Sequence, residues 1–204
     1  MTTEASTPRL WNVPNALSLG RLVVGGFALG LIGYGYYLAA LILFILAAIS
    51  DWFDGYLARK LNQETAFGRQ LDPLVDKLVA SGFFIYLLTV EGSGLYPWMV
   101  TVIVIRELLI QWLRSLLEGQ GIAFGAKLAG KLKTTFQFLA IVVILLILSF
   151  DAFQTTTWML IRDILIWLAV GLTIYSGAGY VLMGLPKIRE EPPASMDSKS
   201  IEVQ

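Results

Sequence analysis

Four aspartates form two closely spaced pairs in an otherwise apolar part of the sequence. Asp51 and Asp54 are three residues apart, and Asp72 and Asp76 are four residues apart. These spacings place both members of a pair on one helix face, and two neighbouring antiparallel helices would bring all four carboxylates to one level. Two charges about 4 Å apart repel by roughly 4 kcal/mol at an effective dielectric near 20. The cluster therefore needs protons or cations, and one or two divalent ions are the natural solution.

The residues around the first pair favour a diphosphate as the ligand. The whole run has the pattern D-x2-D-G-x2-A-R-x8-G-x3-D-x3-D. Gly55 and Ala58 are small and share a helix face with the aspartates, so a flat group can approach the backbone closely. Arg59 adds a fixed cation that suits a phosphate oxygen. Together these residues indicate phosphoryl transfer in which metal ions clamp a diphosphate.

Three other interpretations of the aspartates stay open at this point. Asp72 could cap a helix whose first residue is Pro73. Asp51 and Asp54 could mark a frayed helix end, or the cluster could serve as a pathway for monovalent ions or protons. Ionisable groups inside a membrane are costly and usually functional, which favours a binding site.

The composition is typical of a membrane protein. Of the 204 residues 56% are hydrophobic and 15% are charged, whereas soluble domains have about 45–50% apolar and about 25% charged residues. The absence of cysteine and histidine excludes a disulfide scaffold and Ser-His or Cys-His catalysis, and it leaves oxygen ligands of the kind that suit Mg²⁺, Mn²⁺ or Ca²⁺. A net charge of +0 gives no support to nucleic-acid binding.

Long charge-free stretches predict six membrane-spanning helices. The predicted spans are residues 15–34, 36–60, 69–90, 96–118, 126–150 and 157–185. They form one domain, 14–186, between a polar interfacial segment, 1–13, and a flexible tail, 187–204. Lysines and arginines gather on the side that holds both termini, and the positive-inside rule makes that side cytoplasmic.

The aspartate run resembles the signature of the CDP-alcohol phosphatidyltransferases at every fixed position. The resemblance implies an all-α integral membrane enzyme with six transmembrane helices around a polar cavity open to the cytoplasmic side, acting as a homodimer. Such an enzyme transfers a phosphatidyl group from a CDP-linked lipid to an alcohol and releases CMP. The resemblance also implies two divalent ions, Mg²⁺ or Mn²⁺, on the four aspartates, with Asp76 as the general base. The residues it implies for binding the CDP-lipid are Asn15, Gly55, Ala58, Arg59, Thr65 and Gly68.

A second group of charges bears on the acceptor alcohol. Arg106 and Glu107 lie in an apolar stretch, and we expect no simple salt bridge between them because adjacent helical residues do not face each other. Cations at the mouth of a helix beside the carboxylates predict an anion site, although lysines there also serve as positive-inside signals. The predicted ligands of an acceptor phosphate are Arg106, Arg114, Lys127, Lys131 and Lys133.

Residues 50–55, 106–110 and 130–137 resemble the branch of the family that uses CDP-diacylglycerol and glycerol 3-phosphate and makes phosphatidylglycerol phosphate. A related branch, the cardiolipin synthases, has phosphatidylglycerol as its acceptor and is the nearest alternative. A cation transporter is an alternative of another class, but it predicts inverted repeats and broken helices, and no repeat is visible. By resemblance, the membrane is the cytoplasmic (inner) membrane of a bacterium.

Overall fold

The described part of the chain is all-helical. A computed structural model describes residues 13–61, 66–119 and 128–189, with the side chains of residues 16–50, 71, 73–117 and 130–182. A short 3-10 turn at Asp151–Phe153 precedes the last helix. The long helices are α1 Val13–Gly33, α2 Tyr37–Leu61, α3 Ala66–Leu88, α4 Pro97–Gly119, α5 Leu128–Ser149 and α6 Thr156–Arg189.

Each helix begins and ends within about four residues of its predicted bounds, because charge-free runs and glycine-rich turns are local signals. α6 continues to Arg189, three residues into the predicted tail. The rest of that tail and residues 1–12 of the predicted interfacial segment lie outside the described residues.

The six helices pack in a closed ring. α1 packs against α2 and α3, α3 against α4, α4 against α6, α6 against α5, and α5 against α2. α3 also contacts α5 across the ring, so these two helices divide its interior. One half lies between α1, α2, α3 and α5, and the other lies between α3, α4, α5 and α6.

Two glycines bring α1 and α3 into close contact. A Cβ atom on Gly25 would lie 2.8 Å from a methyl group of Val79, and one on Gly82 would lie 2.7 Å from a methyl group of Leu29. Small residues at such positions allow helix backbones to approach closely, which is how helices associate in a membrane. This close approach holds the part of α3 that carries Asp76 against α1.

The outer surface of the ring is apolar. Val23, Phe27, Trp112, Tyr175 and Leu182 each expose at least 63% of their surface. Water-soluble monomers rarely present large apolar patches. Side chains of this kind around the whole ring suit contact with lipid rather than with water.

Three segments of the described chain are long and apolar enough to cross a membrane: Ala16–Gly33, Gly130–Ser149 and Thr156–Leu182. The apolar part of α2, Tyr37–Ser50, is shorter, and α3 and α4 each carry four charged residues. The prediction of a membrane protein is therefore confirmed. The count of six spans stays a prediction.

Candidate functional site

α2 and α3 are not neighbours in the ring, so the expectation that they pack side by side is wrong. They face each other across the half that α1 and α5 complete, and they run in opposite directions. The rings of Phe44 and Phe83 pack with their centroids 4.5 Å apart. Phe44 lies 17 residues before Leu61, the last residue of α2, and Phe83 lies 17 residues after Ala66, the first residue of α3. Because these two rings are in contact and are equally far from the connection between the helices, other residues at equal distances from that connection also lie at the same level.

The same count brings the aspartates to one level of the bundle. Asp51 lies ten residues before the end of α2, and Asp76 lies ten residues after the start of α3. Asp54 and Asp72 are seven and six residues from the same helix ends. Both pairs lie inside continuous helices and Pro73 is within α3, so the capping and frayed-end interpretations are wrong.

Several predicted site residues fall where no side chain is described. These are Asp51, Asp54 and Asp72 among the aspartates, and Asn15, Gly55, Ala58, Arg59 and Gly68 among the residues predicted to bind the CDP-lipid. Thr65 and Lys127 lie outside the described ranges altogether. The described side chains by themselves hold no group of three or more metal-ligating residues. The fit to a metal therefore depends on the shared level of the four aspartates, whose oxygen atoms are the ligands that Mg²⁺ and Mn²⁺ prefer.

Asp76 lines a cavity of about 350 Å³ between α1, α2, α3 and α5, which we call the aspartate cavity. Arg21 of α1 donates a hydrogen bond to Asp76 through NH1, 2.5 Å from Oδ1. The Arg21 side chain is 5% exposed and that of Asp76 is 44% exposed. The remaining walls are mainly apolar and include Phe44, Val79 and Ile141.

The sequence analysis assigned Arg21 no role in the site. The sequence signal for such a role is that Arg21 is the only charged residue of the first helix, since charged residues within membrane segments are functional by default. Its guanidinium sits against the carboxylate proposed as the base, so it holds that carboxylate in a defined orientation.

A second cavity, of about 390 Å³, lies in the other half of the ring, and we call it the cationic cavity. Cations from α3, α4 and α5 line it, and Gln111 and Tyr180 add polar groups. The lining cations are Lys77, Arg106, Arg114, Lys131 and Lys133. Four of the five predicted acceptor ligands therefore come together in one cavity, and they are joined by Lys77, which the sequence analysis did not assign to the acceptor site.

Glu107 is the acidic partner of three of these cations. Its Oε2 accepts a hydrogen bond from Lys77 Nζ at 2.9 Å, and its Oε1 forms an ion pair with Lys133. Arg106 NH1 also lies 3.5 Å from Oε1, so the expectation that these adjacent residues do not pair is wrong. Long side chains can curl toward a common point even when their Cα–Cβ bonds diverge.

Side chains of α6 hold Arg106 in the cavity wall. NH2 of Arg106 donates a hydrogen bond to Ser176 Oγ at 3.1 Å, and its guanidinium lies 5.6 Å from the centre of the Tyr180 ring. A Cβ atom on Gly177 would lie 3.0 Å from Cγ of Arg106. The sequence analysis missed these residues because α6 has the pattern of a simple apolar span.

A thin wall separates the two cavities. Thr134 and Thr135 of α5 line both of them. On α3, Asp76 lines the aspartate cavity and its neighbour Lys77 lines the cationic cavity, and adjacent Cα atoms are only about 3.8 Å apart. An anion held by the cations would therefore lie across this wall from Asp76, with Thr134 and Thr135 between them.

Comparison with known proteins agrees with this chemistry. A family model described as CDP-alcohol phosphatidyltransferase matches residues 11–175. The chain therefore belongs to the CDP-alcohol phosphatidyltransferase family, and it is an enzyme of that type. Family membership sets the cation-transporter alternative aside.

Two bacterial relatives carry the name CDP-diacylglycerol–glycerol-3-phosphate 3-phosphatidyltransferase. The one from Bacillus subtilis is 38% identical over 187 residues, which covers 84% of this chain and 94% of the relative. The one from Cereibacter sphaeroides is 34% identical over 221 residues, covering 89% of this chain and 99% of the relative. The similarity thus extends over nearly the whole length of each relative.

Proposed function

We propose that this enzyme transfers the phosphatidyl group of CDP-diacylglycerol to glycerol 3-phosphate, forming phosphatidylglycerol phosphate and CMP. The observation that carries the proposal is the convergence of four predicted acceptor ligands in the cationic cavity beside Asp76. A neutral alcohol offers these cations no opposite charge, whereas the phosphate of a phosphorylated alcohol can pair with them. The names of the relatives point to the same acceptor.

The two substrates would occupy the two halves of the ring. Asp51, Asp54, Asp72 and Asp76 would hold two divalent ions, Mg²⁺ or Mn²⁺, and bound ions would neutralise the diphosphate and the departing CMP. Asn15, Gly55, Ala58, Arg59, Thr65 and Gly68 would contact the CDP-lipid. Arg106, Arg114, Lys127, Lys131 and Lys133 would hold the phosphate of the acceptor.

The acceptor hydroxyl would then reach past Thr134 and Thr135 to Asp76. Asp76 accepts the hydroxyl proton while the oxygen attacks the phosphorus that carries the diacylglycerol. The bond from that phosphorus to the bridging oxygen breaks, and CMP leaves with the bond electrons. Arg21 keeps the Asp76 carboxylate aimed along this path. Fixing both reactants in this way accounts for a large part of the barrier reduction in such reactions.

We further propose that all six helices span the cytoplasmic membrane of a bacterium, that residues 14–186 form the catalytic domain, and that the enzyme is a homodimer. The bacterial relatives support the location. The clustering of cations on the side of both termini supports a cytoplasmic active site. The lipid substrate can then keep its acyl chains in the bilayer while its headgroup enters from the side.

Purified protein in detergent micelles tests the function directly. Supplied with CDP-diacylglycerol and Mg²⁺ or Mn²⁺, it should release CMP with glycerol 3-phosphate and much less with inositol phosphate or serine. Asp76→Asn should abolish release while the protein stays folded at the assay temperature. Asp163→Asn is the matched control, because Asp163 lies at the other end of the bundle and pairs with Arg162. Full activity of Asp76→Asn would refute the base assignment, and activity only with phosphatidylglycerol would assign the enzyme to the cardiolipin branch.

A further inference from the structure

We propose that Glu107 is a positioning residue that holds three cations of the cationic cavity for the acceptor phosphate and sets the charge of that cavity for a phosphate monoester. The inference rests on the proposed function and deepens it. It assigns a role to the one acidic side chain that forms ion pairs with these cations among the described residues.

The contacts of Glu107 connect three helices at one point. Its side chain is 4% exposed on α4, and it pairs with Lys77 of α3 and Lys133 of α5 as well as with its neighbour Arg106. Of these partners Lys133 and Arg106 are the most buried, with side chains 3% and 9% exposed, and Lys77 is 22% exposed. Arg114, which is half-buried like Lys77, and Lys131, which is exposed, also line the cavity.

The charge count of Glu107 and its three partners matches one particular kind of ligand. Lys77, Arg106 and Lys133 contribute three positive charges and Glu107 contributes one negative charge, which leaves two positive charges unbalanced. A phosphate monoester carries roughly two negative charges at neutral pH, so its arrival neutralises the group. A phosphate diester carries only one negative charge and would leave one cation buried without an opposite charge, which is unfavourable.

The geometry also predicts whether replacing Glu107 weakens or strengthens the binding of the phosphate. Lys77 and Lys133 approach different oxygens of the same carboxylate, so they stay close together only while a negative charge lies between them. A glutamine there presents an amide NH₂ to one of the two lysines and repels it. The phosphate then meets fewer aligned donors. If Glu107 merely competed with the phosphate for these cations, its neutralisation would strengthen binding instead.

Glu107→Gln is the main variant, and Glu91→Gln is the matched control, because Glu91 is an exposed residue beyond the far end of α3. In the CMP-release assay, Glu107→Gln should raise the KM for glycerol 3-phosphate and the inhibition constant of inorganic phosphate by about tenfold or more. The KM for CDP-diacylglycerol should change by less than about twofold. Glu107→Asp keeps the charge and should fall between Glu107→Gln and the unmodified enzyme.

An unchanged or lowered KM for glycerol 3-phosphate in Glu107→Gln would overturn the inference, and so would an equal rise in both KM values. If Glu107→Gln fails to fold, an unaltered KM for glycerol 3-phosphate in Glu107→Asp would overturn the inference as well. Stabilisation against heat by inorganic phosphate, compared between the unmodified enzyme and Glu107→Gln, tests Glu107 without turnover. An unmodified enzyme that ignores glycerol 3-phosphate but loses its phosphate stabilisation in Glu107→Gln would refute the proposed acceptor and leave the role of Glu107 standing.

Discussion

Two lysines on α5 offer a sharp test of the acceptor site because they line the same cavity at different depths. Lys133 is 2% exposed, whereas Lys131 is exposed near the mouth. Replacing each by methionine removes the ammonium group and keeps most of the side-chain volume. The chemical change is therefore the same in the two variants, and only the burial of the lost charge differs.

The expected magnitudes follow from burial. A charge-assisted hydrogen bond that is shielded from water contributes about 1.5–3 kcal/mol net, so Lys133→Met should raise the KM for glycerol 3-phosphate by about 10- to 150-fold. An exposed ion pair contributes about 0.2–1 kcal/mol, so Lys131→Met should raise it no more than about fivefold. Glu107 keeps its hydrogen bond from Lys77 at 2.9 Å when Lys133 is lost, so the variant should remain folded.

The assay is initial CMP release in mixed micelles, with glycerol 3-phosphate varied at saturating CDP-diacylglycerol and then the reverse. Gel filtration and thermal unfolding confirm that each variant is intact. Equal effects of the two substitutions on the KM for glycerol 3-phosphate would refute the depth argument. A matching rise in the KM for CDP-diacylglycerol would refute the separation of the two substrate sites.

Three further predictions concern the opposite cavity, the metal ions and a turn. Arg21→Gln should lower kcat/KM by roughly fivefold, about 1 kcal/mol, since Asp76 is half-exposed and solvent weakens the pair; a loss as complete as that of Asp76→Asn would show that Arg21 contacts substrate itself. Chelation with EDTA should stop CMP release and added Mg²⁺ or Mn²⁺ should restore it, so persistent activity in excess chelator would contradict the metal site. Gly94 has a φ of 75° and a Cβ there would lie 2.5 Å from Arg162, so Gly94→Ala should cost about 1–2 kcal/mol of stability, measured as a lower Tm. Gly26→Ala, where a Cβ meets nothing within 4 Å, is the control, and an equal fall in Tm there would contradict the reasoning.

Local signals in the sequence were enough to predict the helices and the pairing of the aspartates on helix faces. Charge-free stretches ended by Gly35 or by the turn at residues 91–94 determine where helices begin and end, because hydrophobic runs and left-handed glycines act over a few residues. The same holds for the aspartate pairs, since their spacing of three and four residues defines a common helix face whatever surrounds it.

The partners of those groups could not be predicted in this way. Asp76 and Lys77 are adjacent, yet they line different cavities, because α3 lies between the two halves of the ring and successive helical side chains point in different directions. Arg21 donates a hydrogen bond to Asp76, which is 55 residues away in the sequence, and Arg106 donates one to Ser176, which is 70 residues away. No periodicity carries information over such distances.

The sequence by itself therefore determined the membrane character, the helix bounds, the carboxylates and the family. Tertiary structure alone decided that α3 and α5 divide the ring, that Lys77 lines the cationic cavity and pairs with Glu107, and that Arg21 pairs with Asp76. The physical reason is that a side chain's type and helical face are local properties. Its partners depend on which helices pack together, and here that packing is governed by small residues such as Gly25 and Gly82 that allow close approach.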